Sequence, residues 1–399
     1  MIKFQFYLKE AASEEKLKHL EHAEDHVINS GFDGFAHAYH NLQDVHDQLS
    51  GKKSKTKITT KYDGSPSIVF GHHPETGKFF VASKSAFNKD PKINHTEEDI
   101  DRNHGHAPGL AEKLKIALKH LPKVSPKTGV YQGDVMHSGI KSKTNPGGDV
   151  TQDYFQAGSK YHFQANPSGI KYSTNTNSTE GKKIATSKFG VAVHTAYSGD
   201  TIGGLKAEYG IDTSKFKAHP DVHVIDVTDD AKHANMTPDQ HATFKKHLDT
   251  ATKAFKETPK KAYKALEGHQ EHLKTYVNKT VREGTTPNVE GYTEHVKGIH
   301  AKGIAGVKTA KAVTTKTEKM QGDLAHINKH KENFNKIFDM HHHLQAAKDQ
   351  LVKALSAKPK FESSMKGTPT KPEGYVAIRD NRPTKLVDRA EFSRMNFLR

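Results

Sequence analysis

A chain of 399 residues is long enough for one large domain or two ordinary ones, but with 33% hydrophobic residues only part of it can form a dense core. The absence of cysteine excludes disulfide bonds, thiolate zinc sites and cysteine nucleophiles. Lysine and arginine outnumber the acidic residues by 61 to 46, and the formal net charge of +15 favours a polyanionic partner such as nucleic acid.

Membrane and export signals are not apparent in the sequence. No apolar run reaches the length of about 18 residues that a membrane-spanning helix needs. The amino-terminal residues 1–18 have a short apolar stretch and no small-residue cleavage site, which does not fit a signal peptide. We therefore expect a cytoplasmic protein with no membrane partner.

Residues 13–50 have the periodicity of amphipathic helices. Apolar side chains recur at three- and four-residue steps and form one stripe: Phe32, Phe35, Tyr39, Leu42, Val45 and Leu49. Gly31 and Gly34 interrupt the pattern near its start, and Gly51 follows its end. We predict an amino-terminal helical segment over residues 1–52.

From Lys57 the pattern changes to short strands. The runs ITTKYDGSPSIVFG and GKFFVASKSAF flank the turn HHPETG and predict a hairpin. A helix is predicted over 109–121 and a strand over 129–137, and further strands are predicted in KYHFQAN, GIKYST, KFGVAVHTAY and DVHVIDV. The segments KSKTNPGGD and TNTNSTEGKK are predicted loops. Residues 53–230 therefore indicate the first part of a core with mostly antiparallel strands.

Residues 231–358 have the Ala/Lys/His-rich composition of surface helices, with breaks at GTTPNVEG and GIAG. The run His341-His342-His343 falls in this pattern, and we interpret it as a solvated helix face rather than a metal site. Strand signals return in KPEGYVAIRDNRPTKLVDR, so residues 359–399 are predicted to complete the core. The predicted fold class is α+β, with a large helical module inserted into a sheet-based body.

The motif Lys61-Tyr62-Asp63-Gly64 resembles the Lys-x-Asp-Gly motif of covalent nucleotidyltransferases, the superfamily of ATP-dependent DNA ligases, RNA ligases and mRNA-capping enzymes. Companion motifs follow in the order found in that superfamily: Ser83-Lys84, Gly133-Asp134, the strand that contains His194, Glu373-Gly374-Tyr375-Val376, and Lys385. The resemblance covers residues 57–230 and 370–399 and does not extend to the helical module. It implies an antiparallel-sheet nucleotidyltransferase body, an ATP-grasp-like ligase fold.

The resemblance also implies a role for each motif. Lys61 would be the nucleophile that attacks the α-phosphate of ATP, and Lys84 and Lys385 would stabilise the phosphate charge as catalytic residues. Asp134 and Glu373 would hold Mg²⁺ or Mn²⁺. The implied nucleotide-binding residues are Thr60, Asp63, Gly64, Ser83, Asp134, His194, Glu373 and Gly374. Because a lysine attacks phosphorus only when unprotonated, burial, a bound cation or a neighbouring positive charge must lower its pKa.

Three positions depart from the pattern of the superfamily. The closing motif is usually Lys-x-Lys, whereas Val387 stands two residues after Lys385. Either Arg382 or Arg389 supplies the second charge, or one phosphate contact is missing. Lys84 stands where arginine is usual, and Asp134 where glutamate is commoner. The structural alternatives are solvated surface lysines at Lys84 and Lys385, and a turn cap at Asp134.

The implied activity is that of an ATP-dependent polynucleotide ligase, which forms a covalent lysyl-AMP intermediate and seals 5′-phosphate to 3′-hydroxyl ends. Because the chain ends fourteen residues after Lys385, we expect no carboxy-terminal OB-fold, which favours an RNA ligase and an RNA partner. GTP is the alternative to ATP. The alternative functions are a DNA ligase, a non-catalytic nucleic-acid-binding or structural protein, and an enzyme that transfers AMP to a protein or small molecule.

The helical module is expected to bind nucleic acid through its lysines or to contact a protein partner. A looser likeness links HLEHAEDHVINSGFDG, followed by the Lys-x-Asp-Gly hairpin, to proteins of tailed bacteriophages. That likeness implies a viral protein that acts in the host cytoplasm.

Overall fold

The computed structural model describes residues 20–138, 154–165, 170–229, 231–232, 234–365, 368–370 and 374–390. The helices are α1 (His26–Leu49), α2 (Glu97–His104), α3 (Pro108–His120), α4 (Thr179–Thr186), α5 (Pro238–Glu257), α6 (Gln270–Glu283), α7 (Val289–Ala305), α8 (Ala310–Lys329) and α9 (Lys331–Leu355). The strands are β1 (Lys57–Thr60), β2 (Ser67–His72), β3 (Phe79–Ala82), β4 (Val130–His137), β5 (Tyr154–Ala157), β6 (Lys160–Ala165), β7 (Ile170–Asn175), β8 (Phe189–Ser198), β9 (Lys206–Tyr209), β10 (Val222–Ile225), β11 (Thr228–Asp229), β12 (Glu362–Met365), β13 (Thr368–Thr370), β14 (Tyr375–Arg379) and β15 (Arg382–Leu386).

These strands form three sheets. Sheet I has the strand order β11-β1-β14-β15, and sheet II has the order β10-β8-β4-β2-β3, with β9 also paired to β8. Sheet III has the order β13-β12-β7-β6-β5. Among the described strands every pairing is antiparallel except that of β8 with β10. The predicted α+β class with mostly antiparallel strands is confirmed.

Sheet II is apolar on one face and polar on part of the other. Helix α3 places apolar residues at three- and four-residue spacing, and its Leu114 and Ala117 pack on Phe70, Val135 and Val191 of the sheet. Because side chains alternate along a strand, the opposite face receives the intervening residues of β2 and β4. That second face carries the polar residues described below.

The inserted helices, α1 and sheet I share one apolar core. Phe35 of α1 stacks on Phe255 of α5 with ring centroids 4.2 Å apart, and Ile58 and Ala377 of sheet I belong to the same cluster. Gly31 kinks α1 with φ +56°, and a Cβ atom at this position would lie 3.2 Å from Cβ of Tyr263. The predicted interruption of the helical pattern at Gly31 is thus confirmed.

A buried ion cluster joins three distant parts of the chain. Lys348 of α9 donates to both carboxylate oxygens of Glu24, at 2.9 and 3.0 Å, and both side chains have 0% exposure. Arg389 donates to Asp25 at 2.8 and 2.9 Å, and His341 Nε2 lies 3.0 Å from Asp25 Oδ1. The cluster therefore fastens the start of α1, helix α9 and the segment after β15 to one another.

Three predictions about local structure require correction. The predicted hairpin is formed by β2 and β3, but β1 belongs to sheet I, where it pairs with β14 and β11. The predicted loop TNTNSTEGKK contains the start of α4, whose first turn is capped by Ser178 Oγ. His341 does not lie on a solvated face, because it is 1% exposed and contacts Asp25. The predicted loop KSKTNPGGD lies outside the described residues.

None of the helices in the described part of the chain combines the length and apolar character that a membrane span requires.

Candidate active site

The Lys-x-Asp-Gly motif lies where the chain passes from sheet I to sheet II. Lys61 follows β1, and its N–H donates to Gly374 O at 2.9 Å, which extends the pairing of β1 with β14 by one residue. Ser67, six residues later, begins β2. The nucleophile candidate is therefore attached to the end of one sheet, while the chain immediately after it enters the other.

Hydrogen bonds hold the crossing segment at both of its ends. Asp63 N–H donates to Tyr172 Oη at 2.8 Å, and Ser65 N–H donates to Val135 O at 2.9 Å. Lys113 Nζ of α3 donates to Ser65 O at 3.0 Å. The segment between Lys61 and Ser67 is thus bonded to sheet III, sheet II and α3.

Gly64 of this segment lies tightly against β4. A Cβ atom at Gly64 would lie 2.7 Å from Val135 O and 2.9 Å from Asp134 Cβ, closer than a real Cβ atom can come. Only glycine fits at this approach. The glycine of the motif therefore allows the crossing segment to lie directly beside Asp134.

Asp134 lies within β4, opposite Ser67 of β2, and 19% of its side chain is exposed. Its Oδ1 is 3.8 Å from His194 Nε2. Burial raises the pKa of Asp134, but His194, the charge of Lys61 and a hydrogen bond from Ser67 outweigh this effect and bring the pKa below its usual value. The structure thus brings Lys61, Asp134 and His194 together around an ionised carboxylate.

A chain of polar side chains continues from Asp134 across the same face of sheet II. Gln132 Nε2 donates to Ser67 Oγ at 3.0 Å, and Tyr197 Oη donates to Gln132 Oε1 at 2.5 Å. Ser67, Gln132 and Tyr197 are not among the predicted site residues. The alternation of side chains along β4 could have identified Gln132, because it is two residues from Asp134.

Lys385 shares a face of sheet I with Lys61. The register aligns Thr59, Val376 and Lys385 in one row, and alternation along β1 returns Lys61 to the same face as Thr59. Two strand spacings and two residues separate the Cα atoms of Lys61 and Lys385, roughly 12 Å in all. Two lysine side chains can span this separation from its ends and contact the same triphosphate.

The pair Ser83-Lys84 lies farther away, at the end of edge strand β3. Ser83 Oγ accepts from Ser85 N–H at 3.2 Å and caps a 3-10 turn that begins at Lys84, whose side chain is exposed. The last paired residue of β3, Ala82, lies opposite Val69 of β2, and β2 separates β3 from β4, the strand that contains Asp134. Lys84 thus lies at the rim of the site.

Two of the predicted nucleotide-binding residues, Thr60 and Gly374, belong to the part of the site formed by sheet I and not to the face of sheet II that carries Asp134. Thr60 pairs with Tyr375, and alternation places its side chain on the face of sheet I opposite to Lys61. Gly374 has φ +134°, and a Cβ atom there would lie 2.5 Å from Leu386 O, so this position requires glycine. Glu373 lies outside the described residues.

The structure decides between the alternatives for Asp134 and for Arg389. Asp134 lies inside β4 and is not a turn cap. Arg389, one of the two arginines proposed to replace the missing second lysine, instead pairs with Asp25 and donates to Asn278 Oδ1 at 2.7 Å. Val387, at the position of that lysine, is 2% exposed and packs in an apolar cluster with Tyr62 and Met136.

The donor atoms around Asp134 fit a hard cation. An ionised carboxylate is present, the hydroxyl of Ser67 lies beside it, and partial exposure leaves room for water and phosphate oxygens. Mg²⁺ prefers such a site, with one or two carboxylates and the substrate phosphates as its ligands. The arrangement can therefore place a lysine amine, a carboxylate suited to Mg²⁺ and a second lysine around one triphosphate.

Comparison with known proteins identifies the chain at the level of its family. Neither a search of curated proteins nor a search of solved structures found a match. A family model matches residues 17–399, almost the whole chain, including both sheets of the site and the helical module. The chain therefore belongs to the DUF6267 family, a family of unknown function.

Proposed function

We propose that this chain is a covalent nucleotidyltransferase that acts as an ATP-dependent polynucleotide ligase, with RNA ends favoured over DNA ends. The observation that carries the proposal is the meeting of two separate motifs. Lys61 follows β1 of sheet I, Asp134 lies in sheet II, and Gly64 brings them together closely enough for the charge of Lys61 to lower the pKa of Asp134.

In the proposed first step, Lys61 Nζ attacks the α-phosphorus of ATP, and the bond from that phosphorus to the bridging oxygen of pyrophosphate breaks. Mg²⁺, when bound, neutralises charge on the triphosphate. Asp134 would hold it, and Lys385 would contact the phosphate oxygens on which negative charge develops. The product on the protein is a lysyl-AMP phosphoramidate.

The second and third steps transfer the AMP and seal the strand. An oxygen of a terminal 5′-phosphate attacks the phosphorus of lysyl-AMP, which releases the amine of Lys61. A 3′-hydroxyl then attacks the 5′-phosphorus and displaces AMP. The exposed helix α8 has four lysines against two acidic residues, a composition that supports contact with the phosphate backbone. ATP and the polynucleotide are thus the proposed substrates, and a protein bound to the helical module is the alternative partner.

The test is covalent labelling by α-labelled ATP in the presence of Mg²⁺, followed by denaturing electrophoresis. Wild-type protein should retain acid-labile label, whereas Lys61→Ala should retain none. Lys57→Ala is the matched control, since Lys57 lies on the same strand but its Nζ bonds to Gly210 O at 2.9 Å. Asp134→Asn and Lys385→Ala should each slow labelling by roughly 10²-fold, because each loses one charged contact to the triphosphate or its cation.

An intact mass spectrum before and after treatment with pyrophosphate detects protein that was purified with AMP already attached. The absence of both label and attached AMP would refute the nucleotidyltransferase proposal. If label forms, its release by a 5′-phosphorylated RNA or DNA strand identifies a ligase and its substrate. Release by a protein or small molecule, without strand dependence, would instead identify an AMP transferase.

A second candidate is a nucleic-acid-binding protein without turnover. The burial of Val387 among apolar side chains favours it, because the second lysine of the closing motif is replaced by a core residue. This candidate predicts salt-dependent binding of RNA or DNA by wild-type and Lys61→Ala protein alike, with no lysyl-AMP in either.

A further inference from the structure

Helix α8 is held to the rest of the protein by few apolar contacts. In this fully described 20-residue helix, Ile327 is the one buried residue, and Leu324 is partly buried against the core. A helix of this length usually buries a continuous stripe. The position of α8 must therefore depend more on polar contacts than the positions of its neighbours do.

One group of polar contacts lies where α8 meets α6 and α7. His272 of α6, His300 of α7 and Asp323 of α8 each offer one donor atom, and these three atoms all lie within 4.8 Å of one another. His300 Nε2 is 2.8 Å from Asp323 Oδ2. The side chains of His300 and Asp323 are 10% and 24% exposed, so the group is largely enclosed by the helices and open on one side.

Two neighbouring imidazoles lie outside this group, and each has one nitrogen engaged elsewhere. His269 Nδ1 lies 2.8 Å from Tyr292 Oη, and His326 Nε2 lies 2.9 Å from Ala265 O. The cluster is therefore limited to two imidazoles and one carboxylate, each from a different helix.

Two imidazoles and a carboxylate, with one side open to water, match a common ligand set for Zn²⁺ and for other first-row divalent cations. With ligand bonds of about 2.0 to 2.2 Å, ligand atoms in a tetrahedral zinc site are roughly 3.4 Å apart. Because no two of the three atoms are more than 4.8 Å apart, the widest pair would have to close by at most about 1.4 Å, which side-chain rotation can provide. The 2.8 Å contact between His300 and Asp323 would open slightly to admit the ion.

We propose that His272, His300 and Asp323 bind one first-row divalent cation that ties α8 to α6 and α7. This site is separate from the nucleotide site at Asp134, and the inference does not depend on the proposed activity. Binding would fix the orientation of α8 and hence of its exposed lysines.

The experiment is calorimetric titration of the untagged, EDTA-stripped full chain with Zn²⁺. A competing chelator suppresses weak binding of Zn²⁺ to the other histidines, and excess Mg²⁺ occupies sites that have only oxygen ligands. Wild-type protein should bind one equivalent of Zn²⁺ tightly. Asp323→Asn, which keeps the size of the side chain, and His272→Asn should each weaken it by at least about 100-fold, since loss of an outer contact alone costs 10- to 100-fold.

His330→Ala is the matched control, because His330 lies at the end of α8 outside the cluster and should leave the tight equivalent unchanged. Amide exchange gives a second readout. Zn²⁺ should slow exchange across α8 in the wild type but not in Asp323→Asn, and circular dichroism verifies that both variants fold. The proposal is overturned if no tight equivalent binds, if both variants retain it, or if exchange in α8 is unaffected by Zn²⁺.

Discussion

Removal of one partner from the buried ion pair between Glu24 and Lys348 should destabilise the protein by several kilocalories per mole, because the other partner is left as an unpaired buried charge. Lys348→Met removes the ammonium and leaves the Glu24 carboxylate without its main partner at 0% exposure. Burial raises the pKa of Glu24, but the charge of Lys348 outweighs it, and the pKa falls from 4.5 to about 2. A shift of this size corresponds to about 3 kcal/mol.

The expected cost of Lys348→Met is therefore about 3 to 5 kcal/mol, the range found when one partner of a buried pair is removed. Arg389 Nη1, 3.8 Å from Glu24 Oε1, still partly neutralises the carboxylate in this variant. The cost should therefore lie near the lower end of this range. The double variant Glu24→Leu with Lys348→Met should recover most of this loss, because it buries no unpaired charge. Urea unfolding followed by circular dichroism measures these differences in the free energy of unfolding.

Lys353→Met is the control, since Lys353 is exposed on the same helix and should change stability by less than about 0.5 kcal/mol. Because the folded pKa of Glu24 lies below its unfolded value, the contribution is fully present above about pH 4.5. It should be lost as the pH falls from there toward 2. A cost below about 1 kcal/mol for Lys348→Met, or strictly additive costs in the double variant, would refute this reasoning.

Three further predictions concern single residues. Gly64→Ala should cost about 1 to 3 kcal/mol by overpacking and should slow lysyl-AMP formation by roughly 10²-fold, because the new methyl group displaces Asp134. Loss of stability with unchanged labelling would contradict the second half of that prediction. Burial raises the pKa of Glu180, but the 2.5 Å hydrogen bond with His223 outweighs the effect of burial and lowers the pKa to about 2. The stability difference between wild type and Glu180→Gln should therefore shrink as the pH falls from about 4.5 toward 2, as measured by urea unfolding at several pH values. Thr96→Ala should cost about 1 kcal/mol because it breaks the capping box of α2, whereas Thr96→Ser should retain most of that stability in the same assay.

The sequence allowed most helices and strands to be predicted, because apolar periodicity is a local property. Strand β4 and helix α3 match their predicted positions within a residue or two. Helix α4 was missed because its first turn lies in an Asn/Thr/Ser-rich run, although Ser178 at its cap was a usable signal. The placement of β1 could not be predicted, since its partner β14 is about 300 residues away in the chain.

The same distinction between local and distant information applies to the candidate site. Lys61, Asp134 and His194 were selected by motif, and the structure brings them together. The polar residues that support Asp134, such as Gln132, become recognisable only when the register of the sheet is known. His341 was misassigned to a solvated face because its partner, Asp25, lies more than 300 residues earlier.

The crossing between Lys61 and Ser67 has a mechanical consequence. It connects sheets I and II by a few residues, bonded to Gly374 on one side and to Val135 on the other. Sheets I and II are joined a second time by the short link between β10 and β11, where Thr60 N–H donates to Val227 O at 2.7 Å. Asn381, at the turn between β14 and β15, also donates to Ala207 O at 3.0 Å and accepts from Tyr209 N–H at 2.8 Å. The two sheets are therefore fixed to each other at several points, so the fold itself sets the spacing between Lys61 and Asp134 before any substrate binds.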